Sequence, residues 1–487
     1  MKIILRDFGP ISYFEFDLDK DLNVIFGKNN IGKSYAITAV YLILKNILSL
    51  TDNKYNLISQ IIGFQQKKII DDFKTKESNT LNISSNIISS FKGILESTYL
   101  QNLGSSLNNT FISLDQLSNK ISDNNFTIEL IFNDFTILIA CNDKLNLLYI
   151  KEISSHVTFE VHQTNKDQQS ILHNSIYICY HNTNNFQSNF VFDCLNYLYN
   201  RFIWDVKSKI EQVYFLPYSR SAHYNVLKSL SSIILTLQKN NTNNINMILP
   251  NVSEPIFDYF LCLSSIDDNK AGLNDIFTNL IKEIESEILK GQIVVNENNK
   301  NIVFYQNNIK TEIDLNFASS MIAEIAPIVA YIKFKINGKL SFPTNQFEFF
   351  ISDNIKFYED KINNPKKRCS LLLIEEPEAH LHPEIQVKLM EIFARLVGEN
   401  LKIIMTTHSN YMFNELSNLV LDGKIKPEKV GSFLMKATPV GSITDTLSMK
   451  AEADGMNDEN FAEVAEKLYE DRIRIYDKLN NPSKNVD

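Results

Sequence analysis

The segment GKNNIGKS at residues 27–34 limits the fold of this chain more than any other stretch. An apolar run at residues 22–26 precedes it, and apolar residues at helical spacing follow it over residues 35–50. A strand, a glycine-bounded loop of the form GxxxxGK[ST] and a helix, in this order, are typical of a phosphate-binding loop, or P-loop. The sequence therefore predicts an α/β fold built around a P-loop.

The residue types in the loop match the chemistry of phosphate binding. Gly27 and Gly32 can adopt backbone conformations that a side chain would hinder. The loop N–H groups and the positive end of the following helix then hold the phosphates. We predict that Lys33 reaches the β- and γ-phosphates and that the Ser34 hydroxyl ligates Mg²⁺. The predicted ATP-binding residues are Gly27, Asn29, Asn30, Ile31, Gly32, Lys33, Ser34 and Tyr35.

The nucleotide expected in this loop is ATP. Guanine-specific proteins carry an NKxD sequence, and NKD at residues 165–167 lacks the Asp at the fourth position. We therefore expect ATP and Mg²⁺ as the cofactors.

A second apolar strand, residues 371–374, ends in Glu375 and Glu376 and continues as PEAHLHP. Ligands of open α/β sheets bind at the carboxyl edge of the strands. We therefore predict that Glu375 holds Mg²⁺ and that Glu376 polarises the water that attacks the γ-phosphate. The alternatives are a solvated turn and a Glu/His metal site, and the lack of an HExxH spacing argues against the metal site.

A third apolar strand, residues 403–407, ends at His408. It follows the acidic strand after one predicted helix, residues 384–397, and this order suits a residue that contacts the γ-phosphate. The alternative is an ordinary hydrogen-bonded histidine. The predicted catalytic residues are thus Glu376, Lys33 and His408.

Composition narrows the classes of protein. The 487 residues are 44% hydrophobic and 22% charged, so most of the chain can bury a core. The net charge of −9 means that any contact with nucleic acid must come from a local patch, such as KKR at residues 366–368. Five scattered cysteines without CxxC spacing predict reduced thiols. There is no apolar run of about 18 residues and no signal-peptide pattern, so we expect a cytoplasmic protein without membrane contact.

The three motifs together resemble the ABC-type ATPase heads of the RecF, SMC and OLD (overcoming-lysogenization-defect) families. EEPEAHLHP at residues 375–383 is most similar to OLD-like AAA-type ATPases. The specific motifs cover about residues 1–50 and 368–412. In such heads, two copies sandwich two ATP molecules, which implies self-association. This chain departs from the pattern in having Glu375 in place of the usual Asp, no LSGGQ sequence, and no assignable Q-loop glutamine.

The resemblance also implies a signature helix that faces the P-loop of the second copy. NFASSM at residues 316–321 looks like a shortened signature, so Ser319 and Ser320 are predicted to donate to the γ-phosphate in trans. An ordinary serine N-cap is the alternative. PYSRS at residues 217–221 also looks like a family segment, with Arg220 near the nucleotide or an interface.

The predicted fold class is α/β: an ABC-type P-loop NTPase head, whose mixed sheet has an N-terminal antiparallel part, with a helical insertion. The predicted segments are 1–50, the head with the P-loop; 51–125, helical; 126–221, the β-rich part of the head; 222–290, a helical insertion or arm; 291–335, a β hairpin and the signature-like helix; and 336–487, the rest of the head. OLD nucleases carry a TOPRIM domain with a DxD metal triad after the head. No such triad follows His408 at a predicted strand end, so we expect no intrinsic nuclease.

Two main functions follow from the resemblance. The first is an ATPase that acts as the sensor of a bacterial antiphage defence system and controls a separate nuclease or toxin, by analogy with the stand-alone OLD-like ATPases of Septu and PARIS. The alternative is a DNA-repair or chromosome-maintenance ATPase of the RecF/SMC type that binds DNA. A nucleotide-binding scaffold with little turnover is a third interpretation. The expected partners are further copies of the chain, in an ATP-dependent head dimer or higher homo-oligomer, and an effector encoded nearby, with DNA left open.

Overall fold

A computed structural model gives the fold of the chain. It describes residues 1–50, 80–120, 124–142, 145–163, 168–172, 175–180, 189–226, 228–229, 252–266, 275–296, 301–337, 369–397, 401–458 and 461–480. The strands are β1 (Lys2–Phe8), β2 (Ile11–Asp17), β3 (Leu22–Gly27), β4 (Thr80–Asn82), β5 (Thr127–Ile131), β6 (Phe135–Asn142), β7 (Leu147–Ser155), β8 (Thr158–Gln163), β9 (Gln168–Leu172), β10 (Ser175–Tyr180), β11 (Ile210–Leu216), β12 (Gly291–Val295), β13 (Ile302–Gln306), β14 (Thr311–Asp314), β15 (Cys369–Glu375), β16 (Leu401–Thr406), β17 (Val430–Thr438), β18 (Gly441–Asp445), β19 (Ala451–Glu452) and β20 (Gly455–Met456).

An eleven-stranded mixed sheet, in the order β11-β15-β16-β3-β17-β18-β2-β1-β5-β6-β7, organises the molecule. The run from β11 to β17 is parallel throughout, so the carboxyl ends of β3, β15 and β16 open on one edge. The run from β2 to β7 is antiparallel. This division confirms the predicted α/β class, with a mixed sheet and an N-terminal antiparallel part.

The central strands are buried on both faces, as continuous apolar runs predict. In β15, Leu371 and Leu373 join the core on one face of the sheet, and Leu372 and Ile374 join the core on the other face. In β3, Ile25 points to the first core while its neighbours point to the second. The alternation of successive side chains in a strand therefore builds a three-layer arrangement of helices, sheet and helices.

The helices divide between the two faces. They are α1 (Lys33–Leu48), α2 (Ser84–Leu95), α3 (Gln101–Phe111), α4 (Asn189–Lys207), α5 (Glu254–Ser264), α6 (Asp275–Glu283), α7 (Ser320–Ala330), α8 (Pro383–Leu396), α9 (Asn410–Leu421) and α10 (Ala462–Asn480). Helices α1 to α4 bury apolar side chains in the first core, and α5 to α9 bury theirs in the second. Residues 220–226 are also helical.

Several segments differ in detail from the prediction. In residues 291–335 we expected a β hairpin. The structure has a three-stranded antiparallel sheet there, in which β13 pairs with both β12 and β14. Segment 51–125, expected to be helical, contains β4, which pairs with β8 of a four-stranded sheet β4-β8-β10-β9. Residues 51–79 of that segment lie outside the described residues.

The segment expected to be β-rich, residues 126–221, includes the nineteen-residue helix α4. Its buried residues Val191, Leu195, Leu198, Phe202 and Val206 follow helical spacing, which is a signal that the sequence carried. In segment 222–290, the described helices α5 and α6 pack into the second core. None of the helices that the structure describes is both long and apolar enough to cross a membrane.

Truncation of a side chain in β15 tests the two-sided core. We expect Leu373→Ala to lower the free energy of unfolding by about 2–5 kcal/mol. The substitution removes buried methyl groups and leaves a cavity in the core beside β15. Urea unfolding measures the change. The control is Leu447→Ala, where the side chain is 76% exposed and the expected change is within about 0.5 kcal/mol. Equal losses for the two variants would contradict the buried position of Leu373.

Candidate nucleotide-binding site

The loop between β3 and α1 has the backbone of a phosphate-binding nest. Gly27, Asn30 and Gly32 have φ angles of 141°, 61° and 91°. A Cβ atom on Gly27 would lie 2.4 Å from Ile31 Cδ1 and 2.7 Å from the Met435 carbonyl oxygen. Gly27 therefore needs both its conformational freedom and its missing side chain, since β17 leaves no room for one.

The N-terminal hairpin supports this loop directly. A Cβ atom on Gly32 would lie 2.9 Å from both Pro10 Cγ and Ile11 Cγ1, at the turn between β1 and β2. Gly32 is also the N-cap of α1, whose first turn holds no acidic residue. The positive end of the α1 dipole is therefore not offset by its own helix and is directed at the loop.

Lys33 lies inside the loop. Its side chain is 6% exposed, and Nζ donates hydrogen bonds to the carbonyl oxygens of Gly27 at 3.0 Å and Lys28 at 2.7 Å. Burial lowers the pKa of Lys33 to about 8, and the charges of Glu376 and Glu378 oppose this effect. The acidic strand end is thus close enough to influence the P-loop lysine, although it belongs to a distant part of the sequence.

Ser34 and Glu375 form the second link between the two motifs. The Ser34 hydroxyl lies close enough to the Glu375 carboxylate to lower the pKa of that group, and the Tyr218 backbone N–H donates to Glu375 Oε2 at 3.4 Å. Glu375 is 4% exposed, and burial raises its pKa to about 7. Its buried Oε1 has no hydrogen-bond partner among the described residues. A buried oxygen beside a hydroxyl fits a hard cation such as Mg²⁺, which prefers oxygen ligands.

Glu376 lies directly beside His408. The two side chains approach to 3.5 Å between Oε1 and Nε2, and Glu376 is 42% exposed. The hydrogen bond with His408 lowers the pKa of Glu376, and the charge of Lys33 acts in the same direction, while burial opposes them. Glu376 also has a φ of 43°, an unusual conformation for a residue with a side chain. A held, ionised carboxylate at a strand end suits a group that accepts a proton from water.

Hydrogen bonds lock the loops after β15 and β16 together. The Glu376 N–H donates to the Thr406 carbonyl oxygen at 3.1 Å, and the His408 N–H donates to Glu378 Oε1 at 2.6 Å. The Ser409 hydroxyl donates to Gln386 Oε1 at 2.5 Å. Burial raises the pKa of Glu378. Glu378 is therefore a structural link that positions His408, a role that the sequence analysis did not assign to it.

Arg220 is the buried centre of a second network. Its side chain is fully buried, and its guanidinium donates to the carbonyl oxygens of Glu375 at 2.8 Å, Glu376 at 3.4 Å and Pro217 at 3.2 Å. It also forms an ion pair with Glu324 of α7, with Nε 3.3 Å from Oε2. Arg220 thus connects the acidic strand end to the signature-like helix, and it holds the backbone of Glu376 where that residue has positive φ.

The two predicted signature serines start helix α7. Ser319 is the N-cap, and its hydroxyl accepts a hydrogen bond from the Ile322 N–H at 3.4 Å. Ser320 is the first residue of the helix, and both serines are exposed. Ser319 is therefore a helix cap, as the alternative interpretation held. The prediction that these serines act in trans stays a prediction.

Two further residues of the sequence motifs, Tyr35 and His382, have local roles. The ring of Tyr35 packs on Phe111, with centroids 5.0 Å apart, and against Gly9, so its side chain supports the N-terminal hairpin. His382 caps α8 by accepting a hydrogen bond from the Glu384 N–H at 3.4 Å. Among the residues that the structure describes, no group of three His, Cys, Asp or Glu side chains could hold a metal ion.

The predicted residues therefore meet at one edge of the sheet. The loop 27–34, Glu375, Glu376 and His408 follow β3, β15 and β16, which are neighbours in the order β15-β16-β3. Arg220, Glu324 and Glu378 complete the surroundings. Sequence alone could flag Arg220 through the PYSRS segment, but no local pattern pointed to its buried partner on α7.

Residues 1–413 match the family described as AAA ATPase domain. The chain belongs to this AAA ATPase family. The match includes the P-loop, both strand-end motifs and the Arg220 network, and confirms the coarser part of the resemblance. No curated protein matches the chain.

Solved structures similar to this AAA ATPase include three SMC heads. The SMC head domain from Thermotoga maritima is 8% identical with a TM-score of 0.33, and the match covers 92% of this chain and 98% of that one. An SMC head bound to the C-terminal winged-helix domain of ScpA is 9% identical with a TM-score of 0.39, covering 92% and 97%. An Smc head with an extended coiled coil bound to the C-terminal domain of ScpA, derived from Pyrococcus furiosus, is 10% identical with a TM-score of 0.37, covering 97% and 98%.

The raised pKa of Glu375 gives the stability of the AAA ATPase a particular pH dependence. The ordinary value for a glutamate is 4.5 and the folded value is about 7, so the folded protein binds this proton more tightly than the unfolded chain. The free energy of unfolding then falls as pH rises between these values. We expect Glu375→Gln to be more stable than wild type by up to about 3 kcal/mol at pH 8, and equally stable at pH 4.5. Urea unfolding across this pH range, without nucleotide, measures the difference; a constant difference at all pH values would contradict the burial of an ionisable Glu375.

The Arg220 network predicts a large stability effect at a single residue. Arg220→Met leaves Glu324 buried without its partner, so we expect a loss of about 3–5 kcal/mol in the free energy of unfolding. Adding Glu324→Gln should recover part of that loss, because the amide carries no charge and still accepts a hydrogen bond from Ser221. The control is Arg395→Met, whose ion pair with Glu283 is exposed, with an expected loss of at most about 1 kcal/mol. Similar losses in the free energy of unfolding for Arg220→Met and Arg395→Met would contradict a larger contribution of the buried pair to stability.

Proposed function

We propose that this protein binds MgATP in the loop 27–34 and hydrolyses it with Glu376 as the group that activates water. The observation that carries the proposal is the convergence of Lys33, the Ser34–Glu375 pair and the Glu376–His408 pair at one sheet edge. The positions of Lys33, Ser34, Glu375 and Glu376 support the phosphate, metal and water contacts that we propose for them. The match to the AAA ATPase family supports the same activity.

The roles of the side chains follow from their surroundings. The loop N–H groups, the start of α1 and the Lys33 ammonium bind and orient the phosphates. Ser34 and Glu375 would hold Mg²⁺, which when bound neutralises charge on the β- and γ-phosphate oxygens. Glu376 accepts the proton of the attacking water, and its lowered pKa keeps it ionised for that purpose. His408 lies beside the Glu376 carboxylate, and in this proposal it contacts the γ-phosphate.

We infer further that ATP draws two heads together, with Ser319 and Ser320 of one copy meeting the nucleotide of the other. The exposure of both serines at the N-terminus of α7 supports this, because a helix start with free N–H groups favours anions. Arg220 then links this contact to catalysis in the same copy. It joins α7 to the backbone of Glu376, so that a shift of the helix is transmitted to the catalytic carboxylate.

The biological role that we propose is the sensor subunit of an antiphage defence system that controls a separate effector. Support comes from the resemblance of EEPEAHLHP and its partner motifs to the stand-alone ATPases of such systems. Co-purification with the product of the adjacent gene, with particle mass measured with and without ATP, tests this role. A nuclease or toxin that binds the chain supports it. A recombination enzyme, or DNA binding that weakens steeply as salt rises, would instead support the RecF/SMC-type alternative, whose basic candidate at residues 366–368 lies outside the described residues.

Two substitutions separate binding from hydrolysis. We expect Lys33→Ala to abolish ATP binding, because it removes the charge that compensates the phosphates. We expect Glu376→Gln to bind ATP as wild type does, to lower kcat by about 10²–10⁴-fold, and to stabilise any ATP-dependent assembly. Nucleotide titration, phosphate release and particle mass measure the three effects. The control for both variants is Lys20→Ala, which lies in the β2–β3 connection, at the opposite end of β3 from the loop, and donates to the Glu428 carbonyl oxygen. Undiminished turnover by Glu376→Gln would remove the assigned base.

A further inference from the structure

Helix α5 reaches around the edge of the main sheet to contact α1. Its Tyr259 and Leu263 are buried in the second core, whereas α1 packs in the first core, and β11 is the terminal strand of the sheet. The Tyr41 hydroxyl of α1 nevertheless donates to Asp258 Oδ2 at 2.8 Å, and Lys45 forms an ion pair with Asp258. Helix α5 is therefore tied by polar contacts to the helix that follows the P-loop.

The next residue of α5 is bonded to the Arg220 network. Tyr259 is fully buried, and its hydroxyl donates to the Arg220 carbonyl oxygen at 2.9 Å. The Tyr259 carbonyl oxygen accepts a hydrogen bond from the Tyr331 hydroxyl at 3.2 Å, and the two rings stack with centroids 6.0 Å apart. Successive side chains of a helix point about 100° apart. Helix α5 therefore holds α1 through Asp258 and the Arg220 backbone through Tyr259.

These contacts join the phosphate side of the candidate site to its carboxylate side. Helix α1 begins at Lys33, which we propose binds the phosphates. Arg220 donates to the carbonyl oxygens of Glu375 and Glu376, and Glu376 has a φ of 43°. A residue keeps such a conformation only where its surroundings hold it there. Because Tyr259 holds the Arg220 backbone, α5 contributes to the position of the Glu376 backbone relative to α1.

We propose that Asp258 and Tyr259 are positioning residues for ATP hydrolysis, which together act as a brace between α1 and Arg220. This inference rests on the proposed role of Glu376 as the group that activates water. Neither brace residue belongs to the loop 27–34, so the brace leaves the phosphate-binding groups themselves unchanged. It sets the separation between those groups and the Glu376 carboxylate, and a misplacement of about 1 Å can lower a rate by roughly 10²-fold.

A role in stability alone predicts a different result. Polar contacts between helices can stabilise a fold without affecting its chemistry. Loss of such a contact would then lower the free energy of unfolding and leave the kcat of the folded protein unchanged. A positioning role instead lowers kcat while the dissociation constant for MgATP stays the same, because the loop still binds the phosphates. Kinetic measurements therefore separate the two roles.

A double-mutant cycle tests the brace. Tyr259→Phe removes only the hydroxyl that holds Arg220, and Asp258→Ala removes the contacts of Asp258 with α1. We expect each variant to lower kcat by about tenfold and to keep the wild-type dissociation constant for MgATP. Loss of either end breaks the same brace, so the double variant should have about the kcat of the slower single variant. Independent contacts would instead multiply the two losses. Phosphate release at saturating ATP and nucleotide titration measure the two quantities.

The matched control is Asp134→Ala, which breaks an ion pair with Arg201 of α4. The side chains of Asp134 and Asp258 are 22% and 23% exposed, and the control pair includes no residue of α1 or α5. We expect Asp134→Ala to keep the wild-type kcat. Tyr259→Phe retains the buried ring, so it decides the outcome even if Asp258→Ala is unstable. Wild-type kcat in Tyr259→Phe, a weaker affinity for MgATP with unchanged kcat, or multiplied losses in the double variant would overturn the proposal.

Glu376→Gln, measured in parallel, separates this inference from the proposed function. If Glu376→Gln still hydrolyses ATP as wild type does, the assigned role of Glu376 fails, and the brace fails with it. If Glu376→Gln stalls while both α5 variants turn over as wild type does, only the brace fails.

Discussion

The close approach of the Ser34 hydroxyl to the Glu375 carboxylate joins two motifs that are far apart in the sequence. The two groups approach because only β16 separates β3 from β15, and all three strands are parallel. Their carboxyl ends therefore open on the same edge, where Lys33, Glu376 and His408 also meet. Without this sheet order, the P-loop would be a phosphate site with neither a metal ligand nor a group to activate water.

Burial gives this edge its electrostatic character. Burial lowers the pKa of Lys33 and raises the pKa of Glu375, because the charged form of each side chain is poorly solvated there. Glu376 is more exposed and is paired with His408, and its pKa is lowered instead. The two adjacent carboxylates thus suit different tasks: one is a buried oxygen ligand, and the other is an ionised group facing solvent. Arg220 holds the backbone between them and connects both to α7.

The sequence could predict the parts of the site that depend on local patterns. The P-loop, the two strand ends and the helices that follow them each have a signal within a few residues, and the structure brings them together as expected. The Arg220–Glu324 pair could not be predicted in the same way, because it depends on how α7 packs on the sheet. For the same reason, the packing of Tyr35 on Phe111 and the link from Glu378 to His408 appeared only in three dimensions. Strand β4 was missed because three residues are too few to establish a period.

The most direct test of a shared site is an experimental structure of the chain with Mg²⁺ and a non-hydrolysable ATP analogue. We expect phosphates enclosed by residues 27–34, a metal bonded to the Ser34 Oγ with the Glu375 carboxylate directed at it, and Glu376 facing the γ-phosphate. A nucleotide bound at another surface, or a metal on the side of the phosphates away from Glu375, would contradict it.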